Sequence, residues 1–522
     1  MRQALASTIG PRARNKPAWR GRDAYWPAPT QGWDTETPLA ELPLTRARKF
    51  DNWLPSGVQL RLRKGYSSHV TGLGAAVETL MPYNAGASSA LFGAAGTSVF
   101  NVTSAGSVGS AVLTSMGNAR FSHTNITTSG GSFLWICNGS ADPRHWNGSA
   151  WATPSLTITT YTDNDISFVH AFKERLFFIF KNTLTMGYLP VQSVAGTVDN
   201  FPLGAVFNYG GRLIALGSIS KDGGAGFADY FVALTSEGEV AVYEGFNPGS
   251  ATEWGLVGVY YVGEPVGDRP LVDMGDDLAV ITRNGLISLS HVMAGVGDAD
   301  ANAHHVSARI STAFREATAL GASYTGWEGV FLPEQDMLVI NAPTGTETAV
   351  QLIRHRVTGG WGRFTGWDFE TFEVLGGECY AGGSDGTVYL CFDGNDDNGA
   401  DITGSLETAW STLGIPSIKA LLEVRPIITT ATRAVLRIVG RTDFRDSPPL
   451  PAWPASTITN ALIWGSGVWG TNLWGGEDFT TRAWRAISGD GHSVSLAMEA
   501  RSNQSALGIN GFNLRFQVGG QV

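Results

Sequence analysis

The chain is short of charge. Asp, Glu, Lys and Arg make up 16% of its 522 residues, against about 25% in an average soluble domain. A surface so poor in charge suits a subunit of a larger assembly better than a free monomer. Cysteine is nearly missing. Cys137, Cys379 and Cys391 form neither a disulfide framework nor metal-ligand spacing, and they read as small buried hydrophobes of a protein folded in a reducing cytoplasm. The nine histidines are scattered and only His304-His305 is an adjacent pair, so no triad or helical His-x-x-x-His grouping emerges. No run approaches the ~20 apolar residues of a membrane span, and Met1–Arg22 lacks the apolar core of a secretory signal. The sequons at Asn101, Asn125, Asn138 and Asn147 are then chance matches in turn-rich sequence.

Long helical periodicities are also scarce, and 66 glycines punctuate short apolar runs instead. Seven hairpin-like pairs stand out. They are Leu91-Phe92 with Val99-Phe100, Phe133–Cys137 with His145–Trp151, Arg175–Phe180 with Leu184–Leu189, and Tyr230–Leu234 with Val240–Tyr243. Leu278–Ile281 with Leu286–Leu289, Val330–Leu332 with Met337–Ile340, and Cys379–Ala381 with Val388–Phe392 complete the series. Their turn markers Gly96, Gly139, Asn182, Gly238, Gly285, Gln335 and Gly386 are separated by 43 to 56 residues. Strand-and-turn units at a period of about 40–50 residues are the signature of propeller blades. Runs such as Leu176-Phe177-Phe178-Ile179-Phe180 are apolar at every position, which requires burial on both faces of a strand. The expected fold is an all-β propeller of about six to eight irregular blades over residues 65–400. It is flanked by an N-terminal basic arm and first strand (1–64) and a C-terminal β-rich docking domain (401–522).

The charge is uneven. Residues 1–64 carry 12 Lys/Arg and 5 Asp/Glu, whereas the other 458 carry 24 and 41. Pro27, Pro29, Pro38 and Pro43 favour extended backbone, so the start of the chain reads as an arm lying along a partner. Within it Arg12, Arg14, Arg20 and Arg22, with Trp19, Tyr25 and Trp26 between them, suit either an acidic protein surface or phosphates and bases. Val58–Arg63 alternates apolar and polar residues as a half-buried strand does. Near the end, Trp464, Trp469 and Trp474 recur at intervals of five among glycines. Two readings stand for that loop: an interface anchor, or packing beneath a long loop.

Chemistry is sparse. Gly382-Gly-Ser384-Asp-Gly386 matches a nucleophile elbow, but a strand follows it where a helix is needed, so Ser384 reads as a hairpin-turn residue. Asp393–Asp401 has the oxygen density of a calcium loop but lacks its glycine and distal glutamate, and ordinary turns share that composition. Asp276-Asp277 could supply a glycosidase pair, with solvated turns as the plainer reading. No enzyme, catalytic residue, metal or cofactor is expected.

The passages Phe50-Asp-Asn-Trp53-Leu-Pro55, Leu62-Arg-Lys64-Gly65-Tyr66 and Thr71-Gly72-Leu73 with Val77-Glu78-Thr79-Leu80 resemble the opening of a phage family. Further similar stretches are Phe133–Asn138, Phe172–Phe177, Met186–Val191, Phe231–Tyr243, the Asp396–Gly399 turn and the spaced tryptophans. The family is the tail hub, or nozzle, proteins of short-tailed bacteriophages, and the resemblance runs from about residue 30 to the C-terminus. It implies a virion tail protein assembled in the host cytoplasm as a homo-oligomer, a hexameric tube below the portal and adaptor (head-to-tail connector) protein. Double-stranded DNA would pass through the lumen without sequence-specific contacts, and tail fibre or spike proteins would attach outside, reaching the bacterial surface. An acidic body suits that role, because each Lys/Arg contact to phosphate would slow the sliding duplex. Arg46, Arg48, Trp53 and the Trp464/Trp469/Trp474 loop are the expected interface residues. The rival expectation is a glycan-binding or glycan-cleaving propeller for host adhesion.

Overall fold

The computed structural model describes residues 21–86, 88–222, 227–275, 277–295, 305–430, 435–454, 479–480, 483–503 and 505–519. Its centre is a seven-bladed β-propeller. Blade 1 spans Val77–Asn101, blade 2 Ser122–Ala152, blade 3 Ile166–Pro202, blade 4 Leu213–Tyr261, blade 5 Leu271–Ser288, blade 6 Glu328–Phe364 and blade 7 Phe369–Cys391. Each is an antiparallel meander. The seven first strands touch one another in order, and that of blade 7 returns to that of blade 1, closing the circle. Six of the seven hairpins read from sequence join the second and third strands of a blade. The exception is in blade 6, where Val330–Leu332 and Met337–Ile340 belong to the first and second strands. An insertion before that blade, carrying helices Leu289–Met293 and Ser311–Gly321, disturbs the local spacing.

The uniformly apolar strands have a simple cause. Successive side chains of a strand point to opposite faces, and here each face meets a neighbouring blade. Leu176, Phe178 and Phe180 pack with Trp135 and Cys137 of blade 2, while Phe177 and Ile179 pack with Phe231 and Trp254 of blade 4. Five further interfaces of this kind complete the ring. The circle is latched by Tyr66–Thr71, which pairs antiparallel with Val388–Cys391 at the outside of blade 7.

Residues 22–64 form no free arm. Arg22–Pro27 pairs along Leu507–Val518, Trp26 is fully buried, and the Tyr25 hydroxyl donates to the carbonyl of Asn510 at 3.0 Å. Trp53–Pro55 and Leu60–Leu62 extend the same sheet, so the alternating Val58–Arg63 stretch contributes a strand shorter than its sequence pattern. Lys419–Thr430 lies on the other side of Leu507–Val518. A second sheet contains Ala47–Asp51, Ile402–Thr408, Val494–Ser502 and Val435–Thr442. The two sheets face each other over Trp26, Phe50, Trp53, Leu406, Val424 and Phe512, forming a β-sandwich. Asp51 also pairs with Arg363 of blade 6, making blade 6 and one sandwich layer a single eight-stranded sheet.

The seam between the two units is tightly packed. Gly65 sits where the chain leaves the sandwich for the propeller, and a Cβ there would stand 1.5 Å from the carbonyl oxygen of Asp396. Beside it the buried Arg63 guanidinium makes a bidentate pair with Asp397, both contacts 2.6 Å. It also lies 4.8 Å from the Trp367 ring centroid.

Candidate functional site

The propeller axis carries a concave feature. First strands and the loops leading into them, from blades 1 to 6, line a cavity of about 740 Å³. Its wall is polar because these segments end in turns that face water. Arg120 meets Glu78 at 3.4 Å, Arg283 meets Glu264 at 2.8 Å, and Arg212 approaches Asp268 to 4.0 Å. Lys181 meets Asp165 at 3.0 Å, and that carboxyl is held down at about 2 by hydrogen bonds from Thr162 and by Lys181. Such wet pairs are worth about 1 kcal/mol or less each, so exchanging them for a ligand would cost little.

Arg269 closes the floor. From the segment before blade 5 it reaches Glu328 in blade 6 at 2.7 Å, Thr79 in blade 1 at 2.5 Å and the carbonyl of Phe121 before blade 2 at 3.1 Å. Below it a second cavity of about 390 Å³ opens between blades 1, 2, 5, 6 and 7, where His123 stands 3.4 Å from Glu373. Burial pushes the Glu328 carboxyl up, opposed by Arg269 and by the N–H of Phe372. One arginine thus bridges the inner rims of several blades and interrupts the channel. Nothing local in the sequence marks Arg269 or Glu328, because their partners lie far along the chain.

The expected interface residues fare differently from one another. Arg46 pairs with Asp34 at 2.7 Å, and Arg48 binds both carboxylate oxygens of Asp446 at 2.8 and 3.1 Å, so each is held within its own chain. Trp53 must be corrected. It is completely buried between the sandwich sheets, and a side chain without exposed surface offers a neighbouring subunit nothing. Trp464, Trp469 and Trp474 lie outside the described residues, as do Arg12, Arg14, Trp19, Arg20, Asp276 and His304.

The weaker motifs resolve into turns. Ser384 lies between the paired strands Glu378–Gly383 and Val388–Cys391. There Asp385 accepts from the Tyr389 hydroxyl at 2.8 Å, and with burial this pushes the phenol up to about 12. In the acidic loop Asp397 is taken by Arg63, Asp393 accepts from Ser67 at 2.7 Å and Asp396 accepts from the N–H of Gly399 at 2.5 Å. Among the described residues no cluster of three or more His, Cys, Asp or Glu groups is arranged to hold a metal ion. Asp277 accepts from the N–H of Ser290 at 3.0 Å, at the start of helix Leu289–Met293. All three cysteines are free thiols and buried.

Fold and seam together define a β-propeller protein with a fused β-sandwich. No family model matches the chain, and no curated protein matches it. Solved structures to which it is similar include the following three. BBS1N in complex with ARL6DN is 10% identical, with 63% of this chain and 97% of that one covered and a TM-score of 0.39. YCF48 bound to a D1 peptide is 11% identical, with 68% and 99% covered and a TM-score of 0.36. Sqt1 of Saccharomyces cerevisiae is 10% identical, with 63% and 99% covered and a TM-score of 0.37.

Proposed function

We propose that this chain is a structural virion protein, the tail hub or nozzle of a short-tailed bacteriophage. Copies would surround a conduit for double-stranded DNA below the portal and adaptor, and offer attachment sites for fibres or spikes. The family part of this reading rests on the sequence passages around Phe50–Pro55 and Leu62–Leu80. The observation that supports its mechanical part is the eight-stranded sheet joining blade 6 to the sandwich. Load applied to either unit passes to the other through the parallel pairing of Asp51 with Arg363, where the N–H of Asn52 donates to the Arg363 carbonyl at 2.7 Å, rather than through a flexible linker. Because Arg269 interrupts the propeller's own axis, a passage for a duplex would have to lie between copies. The role is conduction and scaffolding, without catalysis.

Light scattering with projection imaging of the purified protein tests this. The expected particle has six times the 55.5 kDa chain mass and a central hole. A solitary chain without a passage overturns the proposal.

The axial cavity favours one second reading, a glycan-binding site for host adhesion. Its exposed Arg–carboxylate pairs and the amide of Asn182 could bind hydroxyl groups. A glycan array on the isolated protein separates the two, since the conduit reading expects no signal.

A further inference from the structure

Most blades protect their outer edges, and blade 4 does not. The outermost strand of blade 2 has two residues, and that of blade 3 has four, including Asp199 and Pro202. Blade 1 is covered by a bridge from Leu113 to Val99, and blade 5 by one from His305 to Ile287. Blade 6 continues into the sandwich, and blade 7 is latched by Tyr66–Thr71. Blade 4 ends instead in Trp254–Tyr261, eight residues with no charge and no proline. Among the described residues this strand pairs only inward, with Glu239–Gly245.

A one-residue bulge opposite Val242 and Tyr243 leaves both Leu256 and Val257 exposed. Tyr261 is 60% exposed and its ring meets that of Tyr209, itself 67% exposed, at 5.6 Å. Phe246, at the start of the turn before the strand, is half exposed. Four of the fourteen exposed large hydrophobic side chains of the described molecule therefore sit on one blade of seven, and Tyr209, in the loop leading into it, makes a fifth. Unpaired N–H and C=O groups beside an apolar strip form a template for an extended, uncharged segment.

The chain holds one segment of that chemistry outside the described residues. Residues 455–476 contain no charged side chain and carry Leu462, Ile463, Trp464, Val468, Trp469, Leu473 and Trp474. The segment leaves the sandwich after Pro454 and returns at Phe479, which pairs with Thr430. The 24 residues from 455 to 478 are long enough, out and back at about 3.3 Å per residue, to span at most roughly 40 Å. Blade 5 separates its root, on the blade 6 side, from blade 4 of the same chain.

We propose that the tryptophan segment 455–476 of a second copy of this chain docks on the Trp254–Tyr261 edge of blade 4. The inference rests on the ring reading above and names the contact that makes the ring. Made head to tail, a segment-to-edge joint is heterologous, and repeating it closes a ring where the rotation between copies closes.

Three full-length proteins test it by light scattering: wild type, L256K/V257K, and a variant with Trp464, Trp469 and Trp474 all changed to Ser. The lysines lie on exposed positions, and the melting temperature checks that the fold is kept. Wild type is expected at ring mass and each variant alone at single-chain mass. An equimolar mixture of the variants should form a two-chain species, because one intact segment can then meet one intact edge. If L256K/V257K keeps the wild-type mass while the tryptophan variant dissociates, the ring reading survives and this contact is overturned. A mixture that stays single-chain also overturns it, as does a tryptophan variant that assembles fully. A wild type of single-chain mass sinks both readings.

Discussion

Arg63 shows how one side chain can join two units. Its guanidinium is buried at the seam, bound bidentately by Asp397, and also donates to the Asn52 side chain at 2.9 Å and to the Thr365 carbonyl at 3.1 Å. Removing only the carboxylate would leave a buried, unpaired cation, so Asp397→Ala is expected to cost about 3–5 kcal/mol. The apolar pair Arg63→Met with Asp397→Leu should cost less, and urea unfolding of both variants measures the difference. His170 gives a pH dependence. Its Nε2 is shut off from water without a partner, and burial holds the ring's pKa down at about 4. The unfolded chain binds that proton near pH 6.5 and the folded one only near 4. Stability from this group is therefore complete above about pH 6.5 and lost as pH falls toward 4. Because part of the side chain still reaches solvent, the loss is about 2 kcal/mol. Comparing wild type with His170→Phe at pH 7.5 and pH 4.5 should show a smaller decline in the variant.

Among the elements, the latch strand Tyr66–Thr71 matters most, because its pairing closes the circle. Val70 is buried and Thr71 exposed, as the alternation of a strand dictates. Val70→Asp would place an unpaired charge beside Val388 and Leu73, and it is expected to cost at least about 3 kcal/mol. Thr71→Asp should change stability by less than about 0.5 kcal/mol, and chemical denaturation of the two resolves this. The element scale is also where the sequence was most legible. All seven hairpins could be read from sequence, because a strand packed between two blades must be apolar at every position, and six of them are the second and third strands of a blade. Blade 6 was misaligned because its first strand, Glu328–Leu332, carries a helical insertion ahead of it that hides the true spacing. The sequence lays the arm along a partner, because Pro-rich, charged sequence shows no periodicity of its own. Its pairing with Leu507–Val518 joins residues almost 500 positions apart, which local pattern cannot reveal.

For the whole molecule, the continuous sheet through Phe50 predicts mechanical unity. Propeller and sandwich share hydrogen bonds and a hydrophobic core at that sheet, so neither can unfold without exposing the other's edge. Scanning calorimetry is expected to show one endotherm, and two separated transitions would mean that the seam does not couple the units. The same unity suits the load-bearing role proposed above.

From its residue pattern alone the chain determined an all-β propeller, through the spacing of turns and the two-sided hydrophobicity of its strands. Both are local properties, set by the chemistry of neighbouring residues. Only the tertiary structure decided the seven-blade closure, the union of Arg22–Leu62 with the C-terminal strands, and the plug at Arg269. It also decided that Trp53 is core and that the edge of blade 4 is bare. Those features depend on which distant segments meet, and the free energy of such meetings is written in the packed chain rather than in any short stretch of it.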